Sequence, residues 1–301
     1  MNIYCLTGLH QGVFQSLDGN ICKHNFYVPD WYEKERKKPN NVLIMTKEMI
    51  INPYDNFFDA ILIFPEHYSK VQNIDKTIIV NFLTTGREGQ ISAYSKNIIS
   101  NPKVIPVFDS TSCRMSHGIY EGLHKTIYHG VDEEFWSGWQ GQDKKIVHVR
   151  NNFKERDLNR YNDFIYVCGD YPKTLIGAQG DMWCGYEDLK LQLIKHRVYV
   201  NIDLFGSMFA LSHVEAMMLG MPIVCNDIEG NGEVIRNGID GFISNNMDYL
   251  KKCVNILMND YDFSKEMGRK AREMAKIKFG KEQFNIQWND FLNNIDYYRR
   301  K

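Results

Sequence analysis

The sequence has no disulfide framework to offer. Its seven cysteines are odd in number, include no C-x-x-C pair and have no histidines at finger spacing, which excludes a cystine-stapled domain and a structural zinc site. Charge bias is missing too. With 36 basic against 37 acidic residues the net charge is −1, so there is no global footprint for a polyanion, and only a local basic groove stays open. No apolar run is long enough to span a bilayer, and the opening "MNIYCLTGLHQG" reads as a buried strand rather than a signal peptide. Internal repeats, low-complexity tracts and coiled-coil heptads are absent. The expectation is a reduced, cytoplasmic protein.

What is present is core-forming material. The 301 residues are 44% hydrophobic and 24% charged, enough for two soluble domains of ordinary size. Short β-branched and aromatic runs, "NIYCLTG", "NVLIMT", "DAILIFP", "TIIVNFL" and "KVIPVF", read as strands buried on both faces, the habit of parallel sheets. Polar and helical stretches separate them, and "TIYHGVDEEFW" adds one more strand. After the polar, glycine-bearing "WSGWQGQDKK" (Trp136 to Lys145) the pattern restarts with "KIVHVRN", "TLIGAQG", "DMWCGY", "RVYVNID", "PIVCND" and "GFISN". The fold class expected is α/β, with two facing doubly wound Rossmann-like domains, residues 1–138 and 139–301, and a cleft between the carboxyl ends of their strands. The tail reads as helical, with Phe284, Trp288, Phe291 and Ile295 as an apolar packing stripe, and the C-terminal helix is expected to pack back across the cleft.

In doubly wound sheets the chemistry belongs to the strand-to-helix loops. In "TGLHQGVF", Gly8 and Gly12 either bring backbone amides to a phosphate or make an ordinary tight turn. In "HVRNNFKER", Arg150, Lys154 and Arg156 crowd the carboxyl edge, as a clamp for a diphosphate or as a solvated helix start. In "SMFALSHVEAMMLGMPIVCNDIEGNGEVIRNGIDGFI" a helix starts at or near Ser207 and ends at Gly220, before Pro222. Its first amides, from Ser207 to Leu211, form an anion site. Glu215 suits a ribose diol, which offers two hydroxyl donors, unless it caps the helix or pairs with a lysine.

That stretch resembles the nucleotide-binding signature of the GT-B glycosyltransferases of the GT4-like kind, the glycosyl transferases group 1. Their pattern has an acid, seven residues, Glu-Ala-Met, a Gly-x-Pro turn, a strand and a glycine loop with Glu, here Glu233. "TIYHGVDEEFW" resembles the family's I-x-N-G-V-D-x-x-x-F. "TLIGAQG" resembles a middle strand of its second domain, and "WCGYEDLKLQLIKHRVYVNID" the strand, helix and strand before the signature. The resemblance implies a hexosyl- or pentosyltransferase moving sugar from a nucleotide-diphosphate sugar, UDP among the candidate nucleotides, to an acceptor hydroxyl with retention. It implies no tightly bound cofactor or metal. Glu215 would take the ribose, and Arg150 with Lys154 or Arg156 the leaving diphosphate. The backbone of Cys184, Gly185 and Tyr186 would meet the base, and Gly8 to Gly12 would close over the phosphates. Glu233 joins the donor-binding set.

The departures from the family's pattern are specific. Ser207 stands where the family has its second acid, Arg150 follows Val149 where the family has glycine, and Thr84 to Glu88 replace a histidine-bearing strand end. They point to a different sugar, a pentose among the choices, or to a module that binds nucleotide sugar without turnover. Glu88 and Glu66 are the candidates for acceptor contact or proton removal, and Asp203 for the sugar hydroxyls. The acceptor classes are a glycan, a lipid or a hydroxymethylated DNA base. The last reading is that of certain phage glycosyltransferases, with Trp31, Tyr32, Trp136 and Trp139 as stacking aromatics and "EKERKK" and Lys144-Lys145 as local basic patches.

Overall fold

The computed structural model describes residues 1–6, 9, 11–31, 36–52, 56–83, 90–202, 210–228 and 230–299. Among these the apolar runs pair into two all-parallel sheets. The first holds β1 (Asn2–Cys5), β2 (Asn25–Val28), β3 (Val42–Ile44), β4 (Ala60–Ile63), β5 (Thr77–Phe82), β6 (Val104–Phe108) and β7 (Lys125–Thr126), in the order β3-β2-β1-β4-β5-β6-β7. The second holds β8 (Asp143–Val149), β9 (Lys173–Ile176), β10 (His196–Asn201), β11 (Ile223–Cys225) and β12 (Phe242–Ile243), in the order β12-β11-β10-β8-β9. Runs such as "AILI" in β4 and "VIPVF" in β6 are buried at every position, as strands covered on both faces must be. Each sheet is doubly wound, because chain order reverses once within it: between β1 and β4 in the first, and between β8 and β10 in the second.

The chain divides into one unit of residues 1–130 with 281–301 and another of residues 131–280. This differs from a change at 138/139, and the reason is packing. Trp136 is fully buried, Trp139 Nε1 donates to the His196 carbonyl at 2.8 Å, and Arg197 Nε donates to the Gly141 carbonyl at 2.5 Å. The stretch read as a linker is therefore part of the second unit's wall. The stripe on the helix Lys281–Asn293 is core as expected, and its core is the first unit's. There Phe284, Trp288 and Phe291 join Phe14 and Phe26, with Phe14 and Trp288 ring centroids 5.4 Å apart.

Two strand readings need correction. "NFYV" forms β2 although only alternate residues are buried, a half-exposed pattern that a search for doubly buried runs passes over. "DMWCGY" is reduced to one parallel bridge, Met182 to Ile176. The chain between them is too short for a helical crossover and folds as a tight turn. In it Gly180 N donates to the Gly177 carbonyl, and Asp181 Oδ2 accepts from Leu175 N at 2.7 Å.

Candidate functional site

The switch point between β8 and β10 collects several of the second unit's candidate residues. β8 ends at Val149, and Arg150 follows, its amide donating to the Ile176 carbonyl at 2.8 Å. Gly177, at φ 139, lets the next loop approach, because a Cβ there would lie 2.5 Å from the Arg150 carbonyl oxygen. Asn152, in a left-handed conformation at φ 54, turns the chain into the short helix Phe153–Arg156. The Arg150 guanidinium lies 5.4 Å from the Phe153 ring centroid and is half-buried. Burial first, then the nearby Arg156 cation, lowers its pKa, against a partial offset from Asp157 and Tyr199. Lys154 and Arg156 are exposed, Lys154 with its Nζ 5.6 Å from the Tyr161 ring. Three cations thus share one short segment, and the most buried of them is the one at the strand end.

β10 leads to the helix Leu211–Leu219. Ala210 is its N-cap, so the helix begins a turn later than a start at Ser207; Ser207 and Asp203 themselves lie outside the described residues. Leu211 is its first residue, and Glu215 follows one turn on, 2% exposed among Val214, Ala216 and Met217. At the other end Gly220 takes the left-handed cap at φ 90, and the chain turns at Pro222 as expected. Arg272 from the helix Tyr261–Phe279 donates to the Met218 carbonyl, to the Trp136 carbonyl at 2.6 Å and to the Glu133 carbonyl at 2.7 Å. The two helices cross so closely that a Cβ on Gly268 would fall 1.9 Å from the Gly220 carbonyl oxygen.

Beneath this start lies a polar cluster that sequence reasoning missed. Tyr199, fully buried in β10, shares a hydrogen bond of 3.0 Å with Ser212 Oγ. Two imidazoles flank its ring: His148 of β8 with centroids 6.3 Å apart, and His213 at 6.0 Å. Burial drives both toward the neutral form, with pKa values lowered to about 3 for His148 and about 4 for His213. His148 Nδ1 donates to the Val200 carbonyl at 2.9 Å. The available signal was a polar residue inside each apolar run: "KIVHV", "RVYVN" and "SHVEAMM".

The remaining candidates scatter. Gly185 is the N-cap of the helix Tyr186–Lys195, and Cys184 is half-buried just before it. The Tyr186 ring stacks on Phe135 at 4.7 Å, and its hydroxyl accepts from Trp136 Nε1 at 2.9 Å. Glu233 sits in the short helix Asn231–Val234, where its carbonyl accepts from Lys278 Nζ. In the first unit, Gly12 is buried inside the short helix Gln11–Phe14, and the Glu66 side chain is 66% exposed. Gly8, Glu88, Tyr32 and Thr84 to Arg87 lie outside the described residues, as do the first three residues of "EKERKK". Trp136 has no exposed ring with which to stack on a base, which removes one of the four proposed aromatics, while Trp139 is half-buried with its Nε1 bonded to the His196 carbonyl. Carboxylate and imidazole also meet where β6 and β7 end: buried Asp109 and His129 are 3.2 Å apart, and Ser110 Oγ donates to Asp109.

A surface depression lined by Asp59, Thr77, Lys103 and Arg299 opens at the amino ends of β4, β5 and β6. That is the wrong edge for ligands in such sheets. Among the described residues no three His, Cys, Asp or Glu side chains are placed to hold a metal, and no helix is long and apolar enough to cross a membrane.

Residues 195–274 match the family described as glycosyl transferases group 1. The chain is 24% identical over 195 residues to the capsular polysaccharide biosynthesis glycosyltransferase CapM of Staphylococcus aureus, covering 58% of this chain and 50% of CapM. It is 25% identical over 131 residues to spore coat protein SA of Bacillus subtilis (strain 168), covering 42% of this chain and 34% of that protein. The chain thus spans half or less of the length of these curated relatives. Among solved structures, HepE of Anabaena in complex with UDP-glucose superposes with a TM-score of 0.73 at 12% identity, covering 97% of this chain and 99% of HepE. At that identity the likeness shows the fold.

Proposed function

We propose that this chain, whose residues 195–274 match the glycosyl transferases group 1 and which carries the GT-B fold, moves a sugar from a UDP-sugar to an acceptor hydroxyl with retention. One observation carries the reading: Arg150 follows β8 and the Glu215 helix comes after β10, the two neighbouring strands at the switch point. A half-buried cation pressed by a second cation favours an anion beside it, and a diphosphate is such an anion. Glu215 accepts hydrogen bonds from the ribose diol, and the backbone of Cys184 to Tyr186 meets the base. UDP enters because HepE was solved with UDP-glucose.

This reading implies a division of labour in the reaction. As the bond from the anomeric carbon to the diphosphate breaks, negative charge grows on the leaving oxygen. In this reading Arg150, Lys154 and the first amides of the helix Leu211–Leu219 meet that charge, and the half-buried Arg150 needs the least reorganisation to do so.

The test is donor breakdown. With a panel of UDP-sugars, one donor should release UDP slowly even into water, and Arg150→Ala should slow that release by about 10²–10³-fold. NMR of the transferred or released sugar reads the anomer. Tight donor binding with no release from any sugar would reduce the protein to a nucleotide-sugar binding module.

A further inference from the structure

The polar cluster under the helix start lies among the elements that carry the two charged groups on which the proposed function depends. Tyr199 lies in β10, in register with Val147 of β8 on one side and Ile223 of β11 on the other. Its hydroxyl reaches the second residue of the Glu215 helix through Ser212 Oγ at 3.0 Å. β8 ends two residues beyond that pairing, at Val149, the neighbour of Arg150. The phenol is fully buried, and both the Arg150 guanidinium and the Glu215 carboxylate act on it electrostatically. Its other polar neighbours are His148 and His213, whose burial keeps them uncharged.

We infer that Tyr199 is a positioning residue, whose hydroxyl locks the Glu215 helix to the strand end bearing Arg150 and so lets one nucleoside diphosphate engage both at once. It touches no substrate in this role. A strand end and a helix start can shift relative to one another unless something ties them, and engaging two groups at once costs less when their spacing is fixed before the ligand arrives. A phenylalanine fills the same volume and packs equally between two neutral imidazoles, so the ring alone does not explain a tyrosine here. The inference rests on the proposed donor site.

The experiment is calorimetric titration of UDP and of uridine into the full chain, Tyr199→Phe, Ser212→Ala, Arg150→Ala and Glu215→Ala, with melting temperatures alongside. Uridine engages the ribose acid without the diphosphate cation, and UDP engages both. Tyr199→Phe and Ser212→Ala should each lower the preference for UDP over uridine by about tenfold while uridine affinity holds. The Arg150→Ala and Glu215→Ala effects on UDP should couple in the wild-type background and become additive in Tyr199→Phe. Equal weakening of UDP and uridine, or coupling that survives the loss of the hydroxyl, overturns the positioning role. If UDP binding falls in Glu215→Ala while both hydroxyl variants match the wild type, the inference fails and the donor site stands. If neither nucleotide binds the wild type, both fall together.

Discussion

Glu215 and Arg150 stand out because each breaks a local rule: an acid inside an apolar helix, and an arginine at the end of a buried strand. The same rule-breaking marks His148, Tyr199 and His213, yet these were passed over, because a histidine or tyrosine in a strand is ambiguous until its neighbours are known. Only the sheet register and the helix face bring the three together. Their burial predicts a pH dependence. The folded protein holds His148 and His213 neutral down to about pH 3 and about pH 4, while an unfolded histidine takes its proton near pH 6.5. Below pH 6.5 the unfolded state binds more protons, so stability present above that value is lost as pH falls toward the folded values. At pH 5 each histidine should have removed about 2 kcal/mol relative to its contribution at neutral pH. Denaturant unfolding at pH 7 and pH 5 checks this: His213→Leu should lose about 2 kcal/mol less than the wild type between the two. An equal loss would show that His213 titrates normally in the fold.

The decisive element is the helix Leu211–Leu219, nine residues fixed at both ends. Tyr199 holds its start through Ser212, while Arg272 and the Gly220–Gly268 crossing hold its finish. The stop was legible from Gly220 and Pro222, since a left-handed cap and a ring without an amide hydrogen end helices whatever their surroundings. The start was not, because no capping side chain marks Ala210. Nor did sequence periodicity show Gly268 to be a crossing point, since that depends on which helix lies opposite. Gly268→Ala would drive a methyl into the Gly220 carbonyl, and backbone cannot move aside as a flexible side chain does. The expected cost is about 1–3 kcal/mol by thermal unfolding, with weaker UDP binding as the Glu215 helix shifts. Unchanged stability would mean that the helices separate freely and that the crossing does not hold the site.

At the scale of the whole molecule, the two doubly wound sheets were readable from alternation alone, and the comparisons bear out the α/β GT-B fold. The tail's stripe was legible as core, but not which sheet it would cover. Phe284 and Trp288 pack on Phe14 and Phe26, a pairing of residues some 270 positions apart that no local pattern encodes. The central claim is that the carboxyl edge of the second sheet binds a nucleoside-diphosphate sugar through Glu215 and Arg150. The measurement that tests it most directly is calorimetric titration of UDP-glucose into the full chain and into Glu215→Ala. One site that weakens at least tenfold in the variant, with the melting temperature held, is the predicted result, as expected for loss of a charged acceptor of two hydroxyl bonds. Saturable binding of equal strength to both proteins would contradict the account, since the ribose would then lie elsewhere.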